Sequence, residues 1–414
     1  MNTDFSENRE LALLDFVQKH YGFEIFTPGL DRTSPVFSEY IDLAQKKKIK
    51  VTIIAGTNGK GQTAHTLSYL LETAELSTAV WTSPHILSLR ERFRFRGEDI
   101  SYDELENAVL EAHKFLQKAH SELVISFYEF LFLVFLRQVF SEKNKDEIQH
   151  LILEVGLGGR LDAVNHFDAD CTCITSISRD HQAILGSRYD QILKEKMAVG
   201  RAKKPLFTQF KLKYLNQLTA EYCLLQGIDW RPLHTPEQLT GNYFEENQNL
   251  GIKLFSYLEP NRRVPSLLSI PNFKGRREEM TFKGNTFIFI GAHNIDGVRR
   301  MIELFADEAQ DFPSIVLLSF SKRPSNELDV MLKTLVDFFG NKTRISLTSF
   351  VHPKALEVNA INELESKFNK INKGLLDFVT DWKTEINSLK NQKVLVCGSY
   401  YFVGEVQRFI LSSS

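Results

Sequence analysis

Lys60 stands in the run Val51-Thr-Ile-Ile-Ala-Gly-Thr-Asn-Gly-Lys-Gly-Gln-Thr63, where an apolar β-rich segment breaks into a glycine-rich loop and then an amphipathic helix. Gly56, Gly59 and Gly61 let successive backbone N–H groups turn inward, and the following helix offers its positive N-terminus. The Lys60 ammonium can reach terminal phosphates, so Thr57, Asn58, Gly59, Lys60 and Gly61 form a candidate cradle for a nucleotide. The loop departs from the strict phosphate-loop pattern. Its first glycine comes late and Gly61 with Gln62 follows the lysine, so the usual Mg²⁺-binding hydroxyl is missing and a metal must find ligands elsewhere. A tight strand-to-helix connection would use the same residues, and the loop alone leaves both readings open.

Three other side chains sit where strands should end: Ser83 in Thr82-Ser-Pro-His85, Glu154, and His181 after Asp180. A hydroxyl, a carboxylate and an imidazole can supply the missing metal ligands, with phosphate oxygens and water completing a Mg²⁺ octahedron. Each also has an ordinary role, as a Ser-Pro turn cap, a strand-end carboxylate paired with Arg160, or a satisfied histidine. Placement at the ends of successive strands of one sheet favours the metal reading. Glu154 opens a second glycine-rich exit, Glu154-Val-Gly-Leu-Gly-Gly-Arg-Leu-Asp-Ala163. Lys196 falls on an expected helix within reach of this rim, although a solvated surface lysine is the default. Further on, Gly291-Ala-His-Asn294 lies between a strand and a helix. Asn294 suits a helix N-cap, His293 could face a ligand, and Arg276 in Lys274-Gly-Arg-Arg277 is either a phosphate clamp or linker charge.

The elements that must position these groups alternate. Strands are expected at Lys50 to Ala55, Ala79 to Thr82, His150 to Val155, Cys171 to Ile177 and Pro205 to Gln209. Between them, the helix Thr63 to Glu75 shows an apolar face of Ala64, Leu67, Leu70, Leu71 and Ala74. Such alternation predicts a largely parallel sheet covered on both sides, with ligands outside the carboxyl ends of its strands. The pattern lapses between Glu259 and Gly284, which divides the chain into domains 1–270 and 271–414. A second α/β rhythm follows: strand Thr286 to Ile290, helix Asp296 to Glu308, strand Ser314 to Phe320, helix Glu327 to Phe339, strand Arg344 to Phe350 and strand Lys393 to Cys397. The predicted fold class is therefore α/β, a P-loop-type mostly parallel sheet followed by a smaller Rossmann-like domain.

The 414 residues carry 50 basic and 52 acidic side chains, net −2, so no global field recruits nucleic acid or an anionic membrane. The apolar window Val124 to Phe140 is interrupted by Glu129 and Arg137 and reads as a buried helix rather than a span. Cys171, Cys173, Cys223 and Cys397 form no C-x-x-C pair and read as reduced, buried thiols, with Cys171 and Cys173 on one face of a strand. With a polar, acidic N-terminal segment lacking a basic start and apolar block, the chain is expected in the cytoplasm, working as a monomer on small molecules.

Taken in order, Gly29-Leu-Asp-Arg32, the Gly-Thr-Asn-Gly-Lys-Gly loop, Thr-Ser-Pro-His85 with Arg90-Glu-Arg92, Phe127-Tyr-Glu129, the Glu154 to Ala163 run, Asp180-His181 with Leu185-Gly186, Glu195-Lys196, Asn247, Gly275-Arg276, Gly291 to Asn294 and Gly398-Ser399 span nearly the whole chain. This series resembles the folylpolyglutamate synthase/dihydrofolate synthase family of the Mur ligase superfamily. The resemblance implies ATP-driven amide formation, in which a pteroate or folate carboxylate is phosphorylated and the amino group of L-glutamate attacks the acyl phosphate. It implies ATP and Mg²⁺, the metal on Ser83, Glu154 and His181, and Lys196 at the position that family members carry as a carbamate. Asn247 and Arg276 match nucleotide contacts, and His293 a residue facing the acyl-phosphate and glutamate region. Gly29, Leu30, Asp31, Arg32, Phe127, Tyr128, Glu129, Leu161, Asp162 and Ala163 match the pterin-side surface. Four departures stand out: Ile290 replaces an aspartate that contacts the nucleotide, Gln62 a small hydroxyl residue, Asn-Phe-Lys-Gly-Arg276 a Pro-Gly-Arg, and Ser321-Lys-Arg-Pro324 an Asp-Lys-Asp. They leave room for a related ligase acting on another acid, or a non-catalytic binding paralogue.

Overall fold

A computed structural model describes residues 6–24, 27, 29–144, 147–233, 243–265, 273–307, 312–340, 342–371 and 376–413. Two compact units emerge, Met1–Thr240 with Phe244–Ile270 and Gly241–Tyr243 with Pro271–Ser414. The division expected between 270 and 271 lies outside the described residues.

The first unit is built on eight strands: β1 Lys50–Ala55, β2 Thr78–Trp81, β3 Phe93–Phe95, β4 Glu98–Asp99, β5 His150–Glu154, β6 Cys171–Ile174, β7 Pro205–Thr208 and β8 Asp229–Pro232, in the order β4-β3-β2-β5-β1-β6-β7-β8. From β2 to β8 every pairing is parallel, and only β3 is reversed, pairing antiparallel with both β2 and β4. The pleat explains the covering on both faces. Val51, Ile53 and Ala55 point into a core shared with Phe37, Phe130, Phe132 and Phe135. Ile54 points the other way, to Ala64, Leu67, Leu70 and Leu71 of the helix Lys60–Thr73, where Cys171 and Cys173 also lie. The apolar window forms the buried helix Phe127–Val139, started by a capping box between Ser126 and Glu129. No helix among the described residues is long and apolar enough to cross a membrane.

The second unit holds β9 Arg276–Phe282, β10 Asn285–Ile290, β11 Ile315–Leu318, β12 Arg344–Thr348, β13 Leu376–Val379 and β14 Lys393–Cys397, in the order β13-β12-β11-β14-β10-β9. All are parallel except β9, which runs antiparallel along β10. This is the smaller, Rossmann-like sheet that the alternation predicts.

Two kinds of difference separate expectation from structure. The strands β3, β4, β8, β9 and β13 were not expected, because each is short or polar and lies toward a sheet edge: β8, for example, reads Asp-Trp-Arg-Pro. The helix expected from Thr63 begins at Lys60, because its first turn serves the loop and carries no apolar periodicity.

Candidate active site

The glycine loop is shaped by sterics and then stitched to its neighbour. Gly56 has φ 147°, and a Cβ there would fall 1.9 Å from Thr175 Oγ1; Gly59 has φ 89°, and its Cβ would fall 2.3 Å from Asn247 Oδ1. Only glycine fits both positions. The Thr57 amide donates to Ser176 O at 2.9 Å and the Asn58 amide to Ser176 Oγ at 2.9 Å. Thr175 Oγ1 donates to Asn58 O at 2.6 Å, and the Ser178 amide to Thr57 Oγ1 at 3.1 Å. The β6 exit thus clamps the front of the loop. Thr57 and Asn58 shape the cradle with these groups, while the next amides, from Gly59 onward, begin a helix that no side chain caps. Such an N-terminus suits an anion. Lys60 Nζ folds back to Thr57 O at 3.2 Å.

The strands β2, β5, β1 and β6 are consecutive and parallel, so their carboxyl ends share one edge, spaced about 4.8 Å apart. On that edge the Ser83 amide donates to Glu154 Oε2 at 3.1 Å, with Ser83 and Glu154 both buried. Asp180 Oδ1 accepts the His181 amide at 2.9 Å, and His181 adopts a left-handed conformation, φ 50°, that leaves it exposed. Arg160, the ordinary partner considered for Glu154, pairs instead with Glu195 at 3.0 Å. Among the described residues no three His, Cys, Asp or Glu side chains form a cluster able to hold a metal. That is compatible with Mg²⁺, which is usually held by one or two carboxylates together with phosphate oxygens and water.

Lys196 is not a solvated surface lysine. It is 3 % exposed, and its Nζ donates to Gly56 O at 3.0 Å. Burial, with the nearby Lys60 charge in second place, lowers its pKa to about 7. Its helix, Tyr189–Met197, docks on the second glycine-rich exit: the Arg160 amide donates to Glu195 O at 2.9 Å, and a Cβ on Gly159 would meet that same oxygen at 2.8 Å.

The remaining first-unit candidates also come together. Arg32, in the first turn of the helix Leu30–Lys46, pairs with Glu129 at 2.6 Å, and Thr33 Oγ1 lies 2.8 Å from His166 Nε2 just past Leu161, Asp162 and Ala163. Gly29, Leu30, Asp31 and Leu161 keep some exposure, whereas Phe127, Glu129, Asp162 and Ala163 are buried. The Asp162 carboxylate accepts the amides of Gly156 at 2.9 Å, Leu157 at 3.0 Å and Val164 at 3.1 Å, and the Tyr128 hydroxyl at 3.1 Å. Burial nevertheless pushes its pKa up to about 6. Tyr128 accepts the Trp81 indole N–H at 3.1 Å and lies so close to Gly156 that a Cβ there would be 2.7 Å from its ring. Tyr128 and Asp162 therefore brace the Gly156 turn.

In the second unit the contacts are more local. His293 Nδ1 lies 3.1 Å from Gly291 O, with its ring 4.9 Å from that of Tyr400. Asn294 Oδ1 accepts the Gly297 amide at 2.8 Å, capping the helix Ile295–Asp307. Arg276 opens β9 and pairs in register with Ile290, which is buried.

No family model matches the chain. Among curated proteins, the dihydrofolate synthase/folylpolyglutamate synthase of Buchnera aphidicola subsp. Baizongia pistaciae is 27 % identical over 420 residues, 92 % of each chain. The protein of that name from Bacillus subtilis is 26 % identical over 422 residues, 92 % of this chain and 94 % of its own. With the Escherichia coli protein identity rises to 37 %, over a shorter alignment of 177 residues that spans 43 % of this chain and 40 % of the relative. The crystal structure of bifunctional folylpolyglutamate synthase/dihydrofolate synthase from Yersinia pestis complexed with AMPPNP and Mn ion superposes with a TM-score of 0.77 at 25 % identity, covering 96 % of this chain and 97 % of that one. Over nearly its whole length the chain is similar to proteins named dihydrofolate synthase/folylpolyglutamate synthase.

Sequence reading gave no role to several residues that build the site. Thr175, Ser176 and Ser178, which hold the loop, left a signal as a run of hydroxyls just ahead of Asp180-His181. Glu91 accepts the amides of Ile86 at 2.9 Å, Leu87 at 3.0 Å and Ser88 at 2.9 Å, and so shapes the segment after Ser83. Arg92, fully buried, donates to His85 Nδ1 at 3.0 Å and pairs with Glu24 at 2.9 Å, contacts that sequence spacing does not announce.

Proposed function

We propose that the protein joins L-glutamate to dihydropteroate, to a reduced folate, or to both, in an ATP-dependent reaction through an acyl phosphate that releases ADP and phosphate. The observation carrying this reading is the gathering of Lys60, the Ser83–Glu154 pair and buried Lys196 around one parallel-sheet edge. Relatives that align over 92 % of this chain bear the corresponding name.

Ser83, Glu154 and His181 would hold Mg²⁺, which supplies positive charge at the phosphate oxygens. Lys60, with the amides that open its helix, draws negative charge from the transferring phosphoryl group, a step that needs positioning and electrostatic stabilisation rather than a protein nucleophile. Lys196, its amine substantially neutral near pH 7, is prepared to take up CO₂ with loss of a proton. The carbamate so formed turns a cation into an anion beside the metal residues. Asn247 and Arg276 serve the nucleotide, and His293 the acyl-phosphate and glutamate region. Gly29 to Arg32, Phe127 to Glu129 and Leu161 to Ala163 receive the pterin-bearing acid, the buried members as supports for the exposed ones. The reading includes a monomer working in the cytoplasm, in keeping with four free, buried thiols.

Purified protein given Mg-ATP, L-glutamate and either dihydropteroate or a tetrahydrofolate should release phosphate only when both co-substrates are present. Release with another acid, and with neither folate, would favour a different ligase of this fold. That second reading draws on Arg323, in the stretch that departs from the family, which pairs with Glu327 at 3.0 Å. No ATP binding by calorimetry would point to a non-catalytic paralogue.

A further inference from the structure

Gln209 lies immediately beyond β7, on the edge that carries the glycine loop, and the chemistry above makes no use of it. Three carboxamides run from it in one direction. Gln209 Nε2 donates to Asn247 Oδ1 at 3.2 Å, Asn247 Nδ2 donates to Gln62 Oε1 at 2.9 Å, and Gln62 Nε2 donates to the backbone oxygen of Phe244 at 3.2 Å. A backbone carbonyl can only accept, so Phe244 fixes the orientation of Gln62, Gln62 that of Asn247, and Asn247 that of Gln209. The last acceptor in the series, Gln209 Oε1, is buried and has no hydrogen-bond partner among the described residues. A buried amide with an unmet oxygen is destabilising, so the one bond from its nitrogen is what this side chain contributes.

That bond ends at the wall of the phosphate loop. Asn247 Oδ1 occupies the space beside Gly59, 2.3 Å from where a Cβ would stand, and Thr63 Oγ1 donates to Asn247 O at 3.3 Å. The long side chain of Gln62, at a position where the family usually has a small hydroxyl, is the middle of the series and faces the helix Tyr243–Leu258.

We propose that Gln209 is a positioning residue for the nucleotide loop: by donating to Asn247 it holds the Gly59 turn in the shape that receives phosphates. The proposal rests on the nucleotide reading given above. Without the Gln209 donor, Asn247 Oδ1 becomes an unmet buried acceptor, Asn247 rotates, and the Gly59 turn relaxes. Binding of ATP weakens while the steps after binding are unchanged.

Two variants of the full chain test this. Gln209→Leu should raise the KM for Mg-ATP about three- to tenfold, the usual effect of one lost hydrogen bond, with kcat within about twofold. In the nucleotide-free protein it should also speed amide hydrogen exchange at Gly59 to Gly61. Gln209→Glu presents a carboxylate that cannot donate, so at pH 8 its KM should be raised at least as much. Burial raises the pKa of such a carboxyl, and on acidification its O–H donates to Asn247, so KM should return toward the wild-type value in Gln209→Glu and stay high in Gln209→Leu. Lys211, two residues after Gln209, pairs with Glu246, the chain neighbour of Asn247, at 3.3 Å, and both charges are common to both variants. Unchanged KM and exchange in Gln209→Leu would overturn the proposal, as would an equal loss in kcat, KM and Tm without recovery in Gln209→Glu. If the wild type binds no ATP, the nucleotide reading fails, and the exchange measurement still decides whether Gln209 positions the turn.

Discussion

The two sheets present their carboxyl edges in different ways. On the first, the bonds that fix candidate residues cross between strands: Thr57 and Asn58 to the β6 exit, Ser83 to Glu154, Lys196 to Gly56. On the second, three bonds close over a few residues of the same loop: His293 to Gly291 O, Asn294 to Gly297, Arg276 Nη1 to Lys274 O at 3.3 Å. An edge held by cross-strand bonds sets the mutual distances of its side chains before any ligand arrives, which electrostatic stabilisation requires. An edge of locally held residues lets one position change without moving its neighbours. Gln62 apart, the motifs that carry the resemblance are kept at the first edge, and the other three departures fall in the second unit.

The largest effect should come from Glu154→Gln. The amide oxygen can still accept the Ser83 amide, so the fold should hold, while the charge offered to the metal is lost. Phosphate release should fall about a hundred- to a thousandfold, the scale seen when one electrostatic contact to a reacting group is removed. Full activity in both Glu154→Gln and His181→Ala would refute the metal assignment.

A pair of glycines compares the first edge with a turn at the amino end of the second sheet's parallel strands. Gly59→Ala must accommodate φ 89° and a Cβ 2.3 Å from Asn247 Oδ1, so ATP affinity should drop with about 1–3 kcal/mol of backbone strain in play. Gly284 turns β9 into β10 with φ 76°, and its Cβ would meet only Asn391 Oδ1, at 3.3 Å. Gly284→Ala should lower Tm through a strain of about 1–2 kcal/mol and leave ATP affinity alone. Calorimetric titration and thermal melts of both variants make the test, and a nucleotide defect in Gly284→Ala, remote from either carboxyl edge, would mean that lost stability alone weakens the nucleotide and that the Gly59 effect is not local.

Lys196 supplies a pH test. Burial lowers its folded pKa to about 7 from an ordinary 10.5, so between these values the unfolded chain binds more protons than the folded one. Stability should therefore rise with pH across that window in carbamate-free protein, and the penalty of the buried charge should be fully present below it. Lys196→Met should flatten this slope and, near neutral pH, should match or exceed the wild type in Tm while losing turnover. An unaltered slope would place the ammonium in a better solvated setting than its 3 % exposure implies.

Legibility in the sequence followed the same divide. Apolar periodicity revealed β1 and β14 to the residue, since central parallel strands are apolar on both faces, and missed polar edge strands such as β8. Glycines and strand ends marked Lys60, Ser83, Glu154 and His181 as residues at or after the ends of neighbouring parallel strands, where the Ser83 amide meets Glu154. Spacing could not show that Lys196 is buried, that Asp162 and Tyr128 are turned inward, or that Gln209 points at Asn247. Those facts arise from helices docking onto loops distant in sequence, and no local pattern encodes them.

The smallest expected effect is at Ile290, where the family's aspartate is absent. Ile290 is 7 % exposed, at the end of β10, with the register shifting between Phe289 and Ile290 and Arg276 as its cross-strand partner. An aspartate placed there by Ile290→Asp would lose apolar burial but gain a permanent cation directly opposite, and opposite-charge cross-strand pairs contribute roughly 0.2–1 kcal/mol. Held by that carboxylate, Arg276 would have fewer arrangements open to it, and the carboxylate itself could accept a hydrogen bond from the nucleotide. The two gains together should tighten ATP by no more than about tenfold, the upper range of one hydrogen bond, or leave it unchanged. A marked loss of affinity, measured alongside Ile290→Asn to separate charge from polarity, would show that the second edge has been rebuilt around an apolar contact at this position and is less tolerant of single changes than its local bonding suggests.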